Sequence, residues 1–168
     1  FFTELTKLVG TFTEAQLRTL FPSKPKAMSR RNALSKQLAV SNTIVGTTKS
    51  IDFADINTIG NAPTMNFGTT TISKGAESID IDLDESIANN EELGEFDFIA
   101  LIINDTKKDV SLTTASAPVS VQTLSLSYPN GWEQTDTIHA IPLITNSKDF
   151  AIGDTGFGTY FIINRPTR

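Results

Sequence analysis

The octapeptide Phe96–Ile103, FDFIALII, constrains this chain more than any other stretch: it holds one charge, Asp97, and from Phe98 onward apolar residues occupy both parities. A strand with one wet face alternates, so a near-continuous apolar run implies a strand covered on both faces. The run falls far short of the roughly 20 residues a membrane span needs. Gly94-Glu95 and Asn104-Asp105 bound it with turn-prone residues. It reads as the central strand of a β domain.

Around it the sequence shows strand-sized segments at 68–73, 78–83, 109–114, 119–127, 137–145 and 158–163, separated by Lys74-Gly75-Ala76, Asn89-Asn90, Pro129-Asn130-Gly131 and Asn146-Ser147-Lys148. Alternation is sharpest in Ser78–Asp84, where Ile79, Ile81 and Leu83 share one side and Ser78, Asp80, Asp82 and Asp84 the other. Pro142 inside the 137–145 pattern suggests an edge strand or a bulge. No segment between the strands is long and apolar enough for a crossover helix, so antiparallel pairing is expected. A weaker strand pattern covers 50–56.

The first 46 residues have a different texture. Phe1, Leu5, Leu8 and Val9 fall at helical spacing until Gly10. Thr13 and Gln16 form a capping box before Leu17, Leu20 and Phe21, and Pro22 ends that helix. Ser29 is the N-cap of a third helix over 30–45, with Leu34, Leu38, Ser41 and Val45 inward and Gly46 closing it. Such short helices are marginal alone and must dock on the body or on a partner. Charge divides along the same line: residues 1–50 hold eight lysines and arginines against two acids, and residues 51–168 hold six against seventeen. The expected organisation is a basic helical arm (1–46), a linker with a possible strand (47–64) and a β-sandwich (65–168). In fold class this is a mainly β, seven-stranded antiparallel immunoglobulin-like sandwich with a short helical N-terminal arm.

Chemistry is thinly represented. The absence of cysteine excludes disulfides and thiolate catalysis, and a single histidine, His139, offers little for a triad or a zinc site. Asp80, Asp82 and Asp84 have the spacing that opens a Ca²⁺ loop and Glu91 stands at its twelfth position, but Glu85 occupies the place of the turn glycine. A solvated strand face is the preferred reading. Gly153, Gly156 and Gly158 lack the order and following helix of a dinucleotide fingerprint. Tyr128 and Trp132 flank the PNG turn, as a ligand platform or, preferably, as the plug at one end of the sandwich. The sequence implies no cofactor. Lys24, Lys26, Arg30, Arg31 and Lys36 form the one concentrated basic feature, suited to the phosphates of nucleic acid, to an acidic protein surface or to anionic lipid. No aromatic residue is interleaved with them, as base stacking would require.

Two stretches carry a resemblance: PSKPK (22–26) with the later KQLAV (36–40), and FDFIALIINDTKKDVSLTTA (96–115) with YPNGW (128–132) and DTIHAIPLITNSKD (136–149). Together they resemble an uncharacterised family from Bacteroidetes and their phages that pairs a basic helical N-terminal segment with an immunoglobulin-like or fibronectin-III-like sandwich. The resemblance implies a fold and brings no catalytic residue. The expected function is non-enzymatic: a structural component of a larger homo- or hetero-oligomeric assembly, foremost a phage virion protein anchored by its basic arm. The arm leaves nucleic acid open as a partner; membrane insertion is not indicated. The alternative is a bacterial envelope or surface module that binds protein or glycan through sandwich-end loops.

Overall fold

The structure, a computed structural model, describes the chain apart from residues 24, 57–58, 62–63, 66–68, 146–159 and 164–168; of 64–65, 145 and 160–163 it describes the backbone alone. Lys24 and Gly153, Gly156 and Gly158 therefore lie outside the described residues.

Three helices come first: α1 (Phe2–Gly10), α2 (Glu14–Leu20) and α3 (Arg30–Val40). The capping box forms as its spacing implies. The Thr13 side chain accepts from the Gln16 backbone N–H at 3.1 Å, and the Gln16 side chain accepts from the Thr13 N–H at 2.9 Å. Ser29 caps α3 by accepting from the Asn32 N–H. α3 ends at Val40, six residues before Gly46, however. Asn42–Val45 (β1) and Thr48–Ile51 (β2) form an antiparallel hairpin around Gly46-Thr47, and Gly46 takes the positive φ of 65° that the tight loop needs. The β-branched run Thr43-Ile44-Val45 favours this strand over a further helical turn. Val45, expected on the inner stripe of α3, is 75% exposed.

The remaining elements are β3 (Thr64–Met65), β4 (Thr71–Lys74), β5 (Ser78–Asp82), α4 (Glu85–Ala88), β6 (Asp97–Asn104), β7 (Asp109–Leu112), β8 (Ala117–Pro118), β9 (Thr123–Ser127), β10 (Ile138–Thr145) and β11 (Tyr160–Ile163). The expected strand over 119–127 is interrupted. Val119–Val121 makes a 3₁₀ turn and Gln122 adopts a φ of 76°, so β9 starts at Thr123. The main sheet runs β3-β11-β10-β6-β7, with β8 lying beyond β7 along the same edge of β6; a smaller sheet runs β4-β5-β9. Pairing is antiparallel except between β3 and β11, which is parallel and so departs from the uniformly antiparallel expectation.

Pro142 also departs from expectation, because β10 is interior, between β6 and β11. Its partner across the β6 ladder is Ala100. Ala100 directs its N–H and C=O to the opposite side, to Thr113 Oγ1 and the Thr113 N–H. Pro142 thus faces β6 at a pair that needs no hydrogen bond. On its other side the β11 ladder begins only at Leu143. The proline costs the sheet nothing there.

All eight residues of β6 are buried, and they divide by parity between two cores. Ile99, Leu101 and Ile103, with Ile141 and Leu143 of β10, pack against α1, α2 and α3 and the loop residues Phe53, Ile56 and Ile59. Phe98, Ala100 and Ile102, with Ile138, Ala140 and Ile144, pack against Ile79 and Ile81 of β5 and Leu124 of β9, closed off by Ile87, Leu93 and Trp132. The molecule is mixed α and β, with three layers: helices, main sheet, small sheet. The double-sided apolar run is explained by this third layer, since a two-layer sandwich would leave one face of β6 wet. The helices dock on the body. Of the two seats open to the helices, body or partner, they take the body, because their apolar stripe matches the otherwise bare odd-numbered face of β6. Each fully buried Leu or Ile contributes about 1.5–3 kcal/mol relative to exposure, so Leu17, Leu20, Leu34 and Leu38 fix the layer firmly.

Candidate functional site

The basic cluster splits in two when folded. Arg30 donates Nε–H to the Phe21 carbonyl at 2.7 Å, and Phe21 is the C-cap of α2. Arg31 donates to the Val9 carbonyl at 2.7 Å and to the Phe12 carbonyl at 3.0 Å, just past the end of α1, and pairs with Glu14 at 3.3 Å. Helix C-terminal carbonyls lack intrahelical partners, and the macrodipole favours a cation there. The two arginines therefore tie α3 to the ends of α1 and α2 and are occupied inside the layer. Lys26 and Lys36 remain exposed on its outer side.

The same outer layer carries an apolar feature that the periodicity had hidden. Val40, Ile44 and Val45 are 77%, 64% and 75% exposed around the α3–β1 junction and the hairpin tip. Lys49, directly across the hairpin from Ile44, lies 4.4 Å from the centroid of the Phe1 ring, and Phe1 packs edge-on to the exposed Phe2. The hairpin is two strands wide and exposed along most of its length, whereas isolated hairpins are marginal in water. The legible signal was the β-branched run 43–45 before a glycine.

Tyr128 and Trp132 serve the fold. Trp132 is buried in the core between the sheets and donates Nε1–H to Asp109 Oδ2 at 3.0 Å. Tyr128 donates its hydroxyl to the Gly75 carbonyl at 2.6 Å, and burial above all raises its pKa. Beside them Asp136, 1% exposed, pins the 128–137 loop to the β6–β7 turn. Its Oδ2 accepts from Asn104 Nδ2 and from the Glu133 N–H, both at 2.8 Å, and Lys107 Nζ stands 3.8 Å from Oδ1. Burial works to raise the Asp136 pKa. The two hydrogen bonds and the charges of Lys107 and Lys74 outweigh it and hold the carboxyl below its ordinary value. Lys107 is shifted up, chiefly by its hydrogen bond to Glu133.

A cleft of about 570 Å³ lies between α1, the hairpin and the β6–β7 turn, with Lys7, Thr11, Ser50, Phe53, Lys108 and Asp109 among its walls. Several of its charged groups are engaged within the fold: Lys107 with Glu133 at 3.0 Å, Lys108 with Asp105 at 2.7 Å, Asp109 with Trp132. The aspartates of 80–84 do not converge. Asp80 accepts from Ser125 Oγ at 2.6 Å and Asp82 from the Thr123 hydroxyl, both across the β5–β9 ladder, while Asp84 is the N-cap of α4. The Ser86 side chain, then the Ser86 and Thr69 backbone N–H groups, lower the Asp84 pKa. His139 is half-buried in β10 opposite Ile103. Among the described residues no three acids or histidines are grouped to hold a metal ion, and no helix is long and apolar enough to cross a membrane.

Comparison with protein-family models, with curated proteins and with solved structures gives no significant match.

Proposed function

We propose that this chain is a non-enzymatic structural component of a larger assembly, with a phage virion as the first setting, and that it docks through the outer side of its helical layer. The observation that carries this reading is the exposed apolar hairpin end, Val40, Ile44 and Val45, on a chain whose other described apolar side chains are largely sunk in two cores. Contiguous exposed apolar surface marks an interaction site more often than an accident of composition. The engagement of Arg30 and Arg31 inside the layer moves the anchoring role from the basic cluster as a whole to this tip, with Lys26, Lys36 and Lys49 around it.

The two β layers are read as an immunoglobulin-like sandwich. Support comes from strand order: β4-β5-β9 against β7-β6-β10-β11 is the grouping of A, B and E strands against C, F and G that such sandwiches use. On this reading the helices cover the outer face of the C–F–G sheet. The surface-module alternative, binding through the loop with Tyr128 and Trp132, has less support because both side chains are tied inward.

The test is incorporation. Ile44→Asp with Val45→Asp leaves both cores untouched, so the variant keeps its circular dichroism and melting temperature. It is expected to be lost from particles that contain the unaltered chain, read by mass spectrometry of purified virions. Undiminished incorporation would overturn the proposed docking surface.

A further inference from the structure

The outer layers of the molecule are oppositely charged. The helical layer bears seven of the described chain's lysines and arginines, with exposed Lys26, Lys36 and Lys49 on its outside, against Glu4 and Glu14 and, on the 3₁₀ turn that packs into the same core, Asp52 and Asp55. Across the main sheet the small-sheet layer holds Lys74 on β4, which donates to the Asp136 carbonyl, and then from Gly75 to Thr106 the sequence has no lysine or arginine. That span supplies β5, α4 and the 3₁₀ turn Glu91–Leu93, which close the second core. Glu77, Glu85, Glu91, Glu92 and Glu95 are exposed there. The two cores lie on opposite faces of β6, so the two charged layers lie on opposite sides of the molecule.

Among the described residues, the exposed large apolar side chains follow the same division. Phe2, Val40, Ile44 and Val45 belong to the basic layer. Val121, 61% exposed, belongs to the acidic one, on the 3₁₀ turn that packs against α4. Each charged face thus carries apolar surface of its own, and each sign finds its complement on the far side of an identical molecule.

We infer that copies of this chain associate head to tail, the basic helical layer with its hairpin tip seated on the acidic β5–α4 layer of the next copy. This deepens the assembly reading and rests on it for its setting. The contact is heterologous: a face meets a different face, so association does not stop at two copies and gives rings or filaments. Two identical faces brought together would oppose like charges, which disfavours a two-fold dimer. Complementary potentials both speed encounter and reject wrong orientations, and salt weakens them over a Debye length of about 10 Å at 0.1 M.

Sedimentation velocity of the purified full chain tests this. At low salt the sedimentation coefficient is expected to climb with concentration past that of a dimer, and to fall back to the monomer's in about 0.5 M NaCl. Lys26→Glu with Lys36→Glu should leave a monomer at low salt, and so should Glu91→Lys with Glu92→Lys. Mixing the two variants restores association, because each then offers the face the other has lost; all four positions are exposed, so both variants keep the native circular dichroism. A species that stops at a dimer, a monomer at every concentration, or a mixture no better than its components would overturn the head-to-tail contact. Binding of a duplex oligonucleotide by a chain that never self-associates would do so as well and assign the basic layer to nucleic acid. A chain monomeric in isolation yet present in purified virions refutes the self-contact and leaves the assembly reading intact. Salt-sensitive oligomers of a chain absent from virions uphold the self-contact and refute the virion setting.

Discussion

At the scale of single residues, the charged side chains with the largest consequences are those turned inward. Arg31 reaches one carbonyl in the last turn of α1 and one just beyond its end with one planar guanidinium. Hydrogen bonds to a charged group are worth about 1.5–3 kcal/mol when buried, and this side chain is partly exposed. Arg31→Ala is therefore expected to lose about 1–2 kcal/mol in urea unfolding. Arg31→Lys should recover little of it, because an ammonium cannot span both acceptors as the fork does. Asp136 gives a pH signature. Its folded pKa lies below the unfolded one, so its contribution is complete above about pH 4, where the unfolded carboxyl is also ionised, and fades as pH falls through the depressed folded value. Asp136→Asn should lower the melting temperature at pH 7 by several degrees and flatten the acid limb of a stability profile; Asp84, also lowered, keeps part of that limb. The sequence announced some of these positions and hid others. Thr13 with Gln16, and Ser29, could be read directly, since a cap is set by residues three apart. The duties of Arg31 and Asp136 could not, because their partners, Val9 and Asn104, are 22 and 32 residues away.

At the scale of elements, β6 and the β1–β2 hairpin mark the two extremes of legibility. β6 was visible because burial on both faces leaves an unmistakable composition, and β5 because burial on one face leaves alternation. The hairpin was not, because Val45 falls at a helical interval from Leu34, Leu38 and Ser41, and neither glycine nor proline stands between Val40 and Asn42. The docking tip was lost with it. The helical layer was recognised, but its seat was not: nothing local in Leu34 or Leu38 says that they share a core with Leu101. Because β6 belongs to both cores, truncation on either face should damage the whole molecule. Leu101→Ala faces the helices and Phe98→Ala faces the small sheet. They are expected to cost about 2–5 and 3–5 kcal/mol respectively. Each should shift one common thermal transition, seen alike by near-UV and far-UV circular dichroism, rather than split it into two.

For the molecule as a whole, the boundary between a helical segment and a β body is a boundary of composition and charge more than of folding. Removing residues 1–46 would uncover Ile99, Leu101, Ile103, Ile141 and Leu143 together, a contiguous apolar face on the main sheet. The truncated chain is expected to aggregate, or to bind a hydrophobic dye strongly; a soluble, cooperatively melting fragment would contradict the three-layer account. The shared strand has a consequence for synthesis too. The helices leave the ribosome before the strands that seat them, too short to hold on their own. The strand that completes their seat is β10, about a hundred residues later, roughly 5–20 s at ordinary elongation rates. Until then a nascent chain carries Leu17, Leu34 and Leu38 on a seat that is still incomplete. These helices are made long before they can settle, and a chaperone that shields short amphipathic helices would find its client in that interval.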